Sequence, residues 1–428
     1  MKLSASATCP LFLAAAILHV EAATEMQESA AGSAGGGSVF DRWEQAGFGR
    51  VSATVQALLM HRDIDDAGEG GSTTLATTLN YRSPEWGGLH FGGQYIYSWL
   101  LYEEKSRVVP HTGYWLSNDE FSVLNEAYLG FDFGALGWDG AQVKVGRQVL
   151  NYDFAPTYNI RQKDQSYEGI VLTTRPVEHL TLDVGWFNRF SSWASRDGGP
   201  SNWRADFIDV EDRVGVPYSS RGFFFGSAVY TPCDAVSLSA YDFYGDDLFN
   251  VFGLKGAYTW KLGGNRGALT LRGHWANQRD VGRMSRDGLG DIGSNVVEIG
   301  ADYASGGVTL SGGGVFIRGD DFQTPFRTSF TIDTELLWYT MQFEGGTNSG
   351  YLKAVWKWRQ WMFYAMYVAS EHRCGRVCQE IDVVVKRNFG EQFHTAVKAG
   401  YGGRVMPAAL GGAKTEAFDF RWFLGWTF

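Results

Sequence analysis

Basic and imidazole side chains recur at alternate positions of strand-like runs: Lys144, Lys255, Arg272, His274, Lys353, Lys357, Lys386, Lys398 and Arg421. Acids fall on the same faces, at Glu126, Asp132, Asp183, Glu298, Asp302, Asp382 and Asp419. These rows are not a catalytic set. The chain carries no Gly-x-Ser-x-Gly and no His-Glu-x-x-His, and its histidines are scattered, so no nucleophile has a base beside it by spacing. We therefore expect neither an enzyme nor a cofactor. Asp63-Ile64-Asp65-Asp66 and Asp320-Asp321 offer oxygens of the kind Ca²⁺ takes. Solvated loop charge is the preferred reading of both, and no metal site is assigned. Rows of like charge can, however, set ion preference in a pore. A cluster of Lys and Arg lowers the barrier for anions by attraction focused in a low-dielectric wall. The competing reading is a lumen held by Lys–Asp pairs with little preference. Exposed pairs are worth only about 0–1 kcal/mol and sequence gives no distances, so both readings stand.

The element that must position such rows is a strand with period-2 alternation. In the last segment Phe418, Phe420, Trp422, Leu424, Trp426 and Phe428 form one face. Asp419, Arg421, Gly425 and Thr427 form the other, joined by Phe423. Leu89, Phe91, Gly93, Tyr95, Tyr97, Trp99 and Leu101 oppose His90, Gln94 and Ser98 in the same way. A charge on a lipid-facing strand position costs about 2–4 kcal/mol at the bilayer midplane, which gives the segregation an energetic cause. Turns alternate between short ones, such as Ser83–Gly87 and Ser305–Gly307, and long polar ones. The long ones are read at His61–Ser72, Glu103–Asp119, Asn151–Asp164, Ser191–Ser220, Gln278–Ser294 and Gly319–Gly345. That is the habit of periplasmic turns and extracellular loops. An even strand count is required, so the misfit run Ile332–Phe343 goes to a long external loop. The fold class is all-β: a transmembrane antiparallel up-and-down β-barrel of about 18 strands, the size that encloses an aqueous channel.

Composition agrees with this. The 428 residues hold 55 Gly and 15% aromatics, which suit many short strands and turns. Past the N-terminus no apolar run reaches the ~18 residues of a membrane helix. The formal charge of −10 argues against nucleic acid, whose phosphates need a basic footprint. Lys2, the apolar stretch Leu11–Leu18 and small Ala22 and Ala23 read as a cleaved signal peptide over residues 1–23. Residues 24–47 read as a flexible periplasmic segment and 48–428 as the barrel. Cys374 and Cys378 are expected to pair in a loop disulfide of an exported chain. Arg147 is awkward: alternation puts it with Val143, Val145 and Val149 toward lipid. It then stands at the external rim, or a bulge turns it inward. Trp99, Trp356, Trp422 and Trp426 fit interface girdles. Trp115, Trp193, Trp203 and Trp338 fall in loops and are the better candidates for solute contact.

A family resemblance appears between Asn125 and Phe190. Glu126-Ala127-Tyr128-Leu129, Val145-Gly146-Arg147-Gln148, Asn159-Ile160-Arg161-Gln162 and Gln165-Ser166-Tyr167-Glu168-Gly169 follow one another. This block resembles the alginate-export family of outer-membrane barrels, as do Gln379–Val385 and the final Trp426-Thr427-Phe428. Related substrate-specific porins for carboxylates and basic amino acids share the Gly-Arg-Gln strand before their constriction loop. The resemblance implies an 18-stranded channel in the bacterial outer membrane whose third external loop, Asn151–Asp164, folds inward. By that analogy Arg161 and Lys163 line the constriction, and Phe428 addresses the outer-membrane assembly machinery. The expected partners are outer-membrane lipid and small hydrophilic solutes, carboxylates or sugars. Two alternatives remain: a structural or adhesive barrel plugged by the loop Ser191–Ser220, and a barrel hydrolase.

Overall fold

The computed structural model describes residues 43–428 except 46, 66–67, 105–119, 158–160, 193–204, 264–265, 291, 327–328 and 332–342. The expected signal peptide, most of the segment 24–47, the run 332–342 and Trp115, Trp193, Trp203 and Trp338 lie outside the described residues. The described residues contain 19 strands, one of which, Ile208–Asp209, is a two-residue piece on the edge of Leu180–Ser191. The other 18 make a closed antiparallel ring in which each strand pairs with its neighbours in sequence. Closure is between Arg50–Ile64 and Lys414–Thr427, in register from Thr54 opposite Thr427 to Ile64 opposite Ala417. A closed ring leaves no unpaired edge, the condition a sheet must meet to cross lipid.

Period-2 alternation becomes inside and outside. Along Thr347–Trp358, Tyr351, Lys353 and Val355 are at most 3% exposed, whereas Leu352 and Trp356 are 52% and 45% exposed toward lipid. The hydrophobic core accordingly lies inside the barrel. Inward Phe187, Phe190, Phe223, Phe225, Phe243 and Phe249 pack there against Phe154 and Phe326 from two loops.

Both termini of the ring lie at one end, with the turns Ser83–Gly88, Val177–Leu180 and Gly306–Gly307. The long connections lie at the other, which is the external end. One expected loop is not a loop. His61–Ser72 is mostly strand, because Arg50–Ile64 and Gly68–Arg82 stay paired out to Ile64 opposite Gly68. Alternation simply continues there, with Leu58, Met60, Arg62 and Ile64 buried and Leu59 exposed. External connections are also short at Asp246–Leu248 and at 373–376, so turn length alternates less strictly than expected.

Candidate solute pathway

The wall made by Phe249–Lys261, Ala268–Asp280, Gly293–Ser305, Val308–Gly319 and Thr347–Trp358 is built around Arg272. Its guanidinium meets Asp302 Oδ2 at 2.9 Å and also bonds Glu298 and the Tyr351 hydroxyl. A further N–H reaches Thr331 Oγ1, 3.0 Å away on the loop between Val308–Gly319 and Thr347–Trp358. Register explains how Arg272 and Tyr351 meet across two intervening strands. The positions between them are Gly300 and Gly313. A Cβ on Gly300 would lie 2.6 Å from the Tyr351 Oη and 2.9 Å from Arg272 Nη2. The planar fork of Arg thus holds two buried carboxylates and a loop hydroxyl at once.

A second tie sits beside it. Lys255 Nζ donates to Asp153 Oδ1 at 2.6 Å, and Ser329 Oγ donates to the same oxygen at 2.5 Å. Ser329 N donates to Asp153 O at 3.0 Å, so the two loops are joined by main chain as well. His274 stacks on Phe330 at 4.2 Å, with its Nε2 2.8 Å from the Tyr241 hydroxyl. Burial pushes the Asp153 carboxyl up, but Lys255, His274 and the Ser329 hydroxyl together outweigh it and hold the group below its ordinary value.

The loop carrying Asp153 spans the lumen. At its far end Gln162 Nε2 donates to Thr74 Oγ1 at 2.6 Å, and Gln56 Nε2 to Arg161 O at 2.9 Å. Thr74 lies on the second strand of the ring and Lys255 on the tenth of its 18, so the loop touches nearly opposite walls. The third external loop therefore folds inward, as the resemblance implied. Phe154 and Phe326, 1% and 0% exposed, hold it and the Ser329 loop in the aromatic core. Full burial of such a ring is worth about 1.5–3 kcal/mol.

Several expected lining residues do something else. Lys163 is 1% exposed. Its ammonium donates to Ser192 O at 2.6 Å, Asp164 O at 2.7 Å and Ser191 O at 3.5 Å. It fastens the loop to the end of Leu180–Ser191 and does not line the constriction. Arg161 is 4% exposed and is buried at the loop's far end. Burial lowers the Lys163 ammonium to about 7 and raises the adjacent Asp164 carboxyl to about 6. Arg147 is the next-to-last residue of Gln142–Gln148, at the external rim. It pairs with Glu168 Oε2 at 2.9 Å, which Arg189 approaches at 3.6 Å, and Arg189 also reaches Asp209 at 3.4 Å. Lys144 lies 4.9 Å from the Tyr128 ring. Lys353 is 3% exposed, 5.6 Å from the Tyr364 ring, and Lys357 is exposed near the periplasmic end of the same strand. Cys374 and Cys378 are not bonded to each other. Cys374 sits exposed in the turn with Sγ 2.9 Å from His372 Nδ1, while Cys378 is buried on the lumen face.

A second charged wall, made by Val377–Phe389, Phe393–Val405, Lys414–Thr427 and Arg50–Ile64, crosses the barrel seam. Asp419 takes Arg62 Nε at 2.6 Å and lies 2.8 Å from Arg421 Nε. Lys398 stands beside Arg421 in register, 5.8 Å from the Phe423 ring, and Asp382 and Asp419 flank Gly400. Lys386 and Arg404 share the lumen-facing parity. Arg62 and Arg404 escaped the sequence reading. Carrying the alternation of Leu58 and Met60 two residues further would have found Arg62, and extending Lys398, Gly400 and Gly402 would have found Arg404.

Residues 138–360, just over half of the chain, match the model of the outer membrane porin, OprD family. No curated protein matches. The chain is similar in fold to Acinetobacter baumannii OccAB4, at 16% identity and TM-score 0.71, over 88% of this chain and 97% of that one. Pseudomonas aeruginosa OccK2 (OpdF) in complex with glucuronate matches at 17% identity and TM-score 0.70, over 88% and 97%. Pseudomonas aeruginosa OpdK with vanillate matches at 14% identity and TM-score 0.70, over 88% and 98%. The alginate-export family is not the one that matches. The Gly-Arg-Gln strand and the inward loop both lie within residues 138–360, the part that matches.

Proposed function

The chain belongs to the OprD family of outer-membrane porins, and from that premise we propose that its channel favours small carboxylate-bearing solutes such as uronates. The observation that carries the reading is the charge balance of the seam wall. On its four strands the lumen-facing positions hold Arg62, Lys386, Lys398, Arg404 and Arg421 against Glu380, Asp382 and Asp419. Across the lumen Arg272 is matched by Glu298 and Asp302, and Lys255 by Asp153. The inward loop pushes solute past the seam wall, where excess positive charge in a narrow low-dielectric space attracts anions. The paired-lumen alternative describes the Arg272 wall, and the basic pathway describes the seam wall. That two structural neighbours were studied with glucuronate and vanillate, both carboxylates, supports the class.

The test is liposome swelling with uronates, neutral sugars and amino acids, alongside ion selectivity in planar bilayers. Uronates are expected to enter fastest, with anions preferred over cations. Arg421→Glu with Lys398→Glu is expected to reverse that preference. Uniform swelling rates or a cation-selective wild-type channel would sink the proposal. An absence of conductance would return the plugged barrel.

A further inference from the structure

On four adjacent strands the lipid-facing chemistry changes toward the external end. Outward along Ala268–Asp280 the lipid-facing positions read Leu271, Gly273 and Trp275, then Asn277 and Arg279. Along Gly293–Ser305 they read Ile299 and Val297, then Asn295. Along Val308–Gly319 they read Gly314 and Phe316, then Arg318, and along Thr347–Trp358 Leu352 and Gly350, then Asn348. Register gathers the polar ends. Asn277 is opposite Asn295, Asn295 is opposite Arg318, and Arg279 is opposite Gly293, one pleat repeat further out. Asn277 Nδ2 lies 3.2 Å from Asn295 Oδ1, and Arg318 Nη2 donates to Asn348 Oδ1 at 2.8 Å.

Three other arginines of this rim have carboxylates: Arg147 has Glu168, Arg221 has Asp246 and Arg283 has Asp287. Among the described residues, neither Arg279 nor Arg318 has a carboxylate within the 4.0 Å of an ion pair. The neighbouring acids are engaged elsewhere, Asp242 by Asn250 Nδ2 and Asp320 by the Gly293 amide. Two strand spacings and one pleat repeat put the Cα atoms of Arg279 and Arg318 about 12 Å apart.

We propose that this patch binds the headgroup of an external-leaflet lipid bearing two phosphates. Arg279 and Arg318 fork onto the phosphate oxygens, the geometry guanidinium favours. The side-chain amides of Asn295 and Asn348 donate to remaining headgroup oxygens. Below them Trp275, Val297 and Phe316 form one row, and Gly273, Ile299, Gly314 and Gly350 the next, a flattened surface for acyl chains. A recess of about 400 Å³ lined by Leu238, Gly256, Tyr258, Leu271 and Gly273 opens on the same face. Strand alternation keeps both arginines outside the barrel, so lumen solutes do not reach them, and this site stands apart from the solute reading.

The purified full chain in detergent is titrated, by native mass spectrometry, with a bis-phosphorylated glycolipid, its dephosphorylated form, phosphatidylglycerol and inorganic phosphate. The bis-phosphorylated lipid is expected to bind at least about tenfold more tightly than the other three. Arg279→Gln with Arg318→Gln is expected to remove that margin while leaving single-channel conductance and ion selectivity unchanged. Asn295→Asp, which sets a carboxylate between the arginines, is a second variant with the same expected loss. Equal binding of the dephosphorylated lipid or phosphatidylglycerol, competition by inorganic phosphate, or undiminished binding by either folded variant would overturn the proposal.

Discussion

Asp153 and Lys255 form a 2.6 Å ion pair that ties the third external loop to the tenth strand of the ring. The same carboxylate takes the Ser329 hydroxyl, so one side chain joins two loops and the wall. Loop position in this channel is thus set by buried polar ties laid over an aromatic core.

Asp153→Asn and Lys255→Met should loosen that tie. Leaving a largely buried partner unsatisfied costs about 1–3 kcal/mol. Single-channel records should show larger and noisier conductance for both variants. A record indistinguishable from wild type would show that Phe154 and Phe326 hold the loop unaided.

Arg272→Ala leaves Glu298 and Asp302, with side chains 3% and 6% exposed, without their guanidinium. Breaking such a buried pair costs about 3–5 kcal/mol. The unfolding temperature on heat-modifiable gels should fall, and protease should cut the loop bearing Thr331 sooner. Arg272→Lys should recover part of the loss, since it restores charge without the fork.

Gly300→Ala puts a methyl group 2.6 Å from the Tyr351 hydroxyl, a collision worth about 1–3 kcal/mol. Tyr351→Phe removes the colliding oxygen. The double variant should therefore lose less than the sum of the two singles, and additive losses would contradict the bridge over Gly300.

Lys163 and Asp164 give the inward loop a pH dependence. The Lys163 ammonium is lowered to about 7 from 10.5, so between these values the folded loop binds fewer protons than the unfolded chain and stability rises with pH. The Asp164 carboxyl is raised to about 6 from 3.8, so across that window stability falls as pH rises. Hydrogen exchange of the loop amides, corrected for intrinsic rates, should show least protection near pH 6–7 and more toward pH 9. Lys163→Met should abolish the alkaline limb.

The natural cysteines report orientation. Cys233 is exposed at a turn of the terminus end, Cys374 is exposed in an external turn, and Cys378 is buried. A bulky maleimide added to intact cells should label Cys374 alone. Cys233 should follow after the outer membrane is permeabilised, and Cys378 only after unfolding.

Much of this molecule is local and was therefore legible in its sequence. Which side of a strand meets lipid is decided by alternate residues, so Trp422 and Arg421 declare their faces without any partner. The even count of strands, the placing of Arg272 and Lys398 on the lumen side and the inward third loop follow from that pattern and the resemblance. What alternation cannot carry is the distance between side chains far apart in the chain. Whether Lys255 is a free lining charge or the partner of Asp153 depends on where a loop 102 residues away comes to rest. The resemblance makes Lys163 a constriction cation, yet it is spent on the carbonyls of Ser191 and Ser192. Arg272 and Tyr351 meet only because register sets two glycines between them. Charge at a position is a property of the residue, whereas neutralisation of that charge is a property of the closed ring and the loops folded into it.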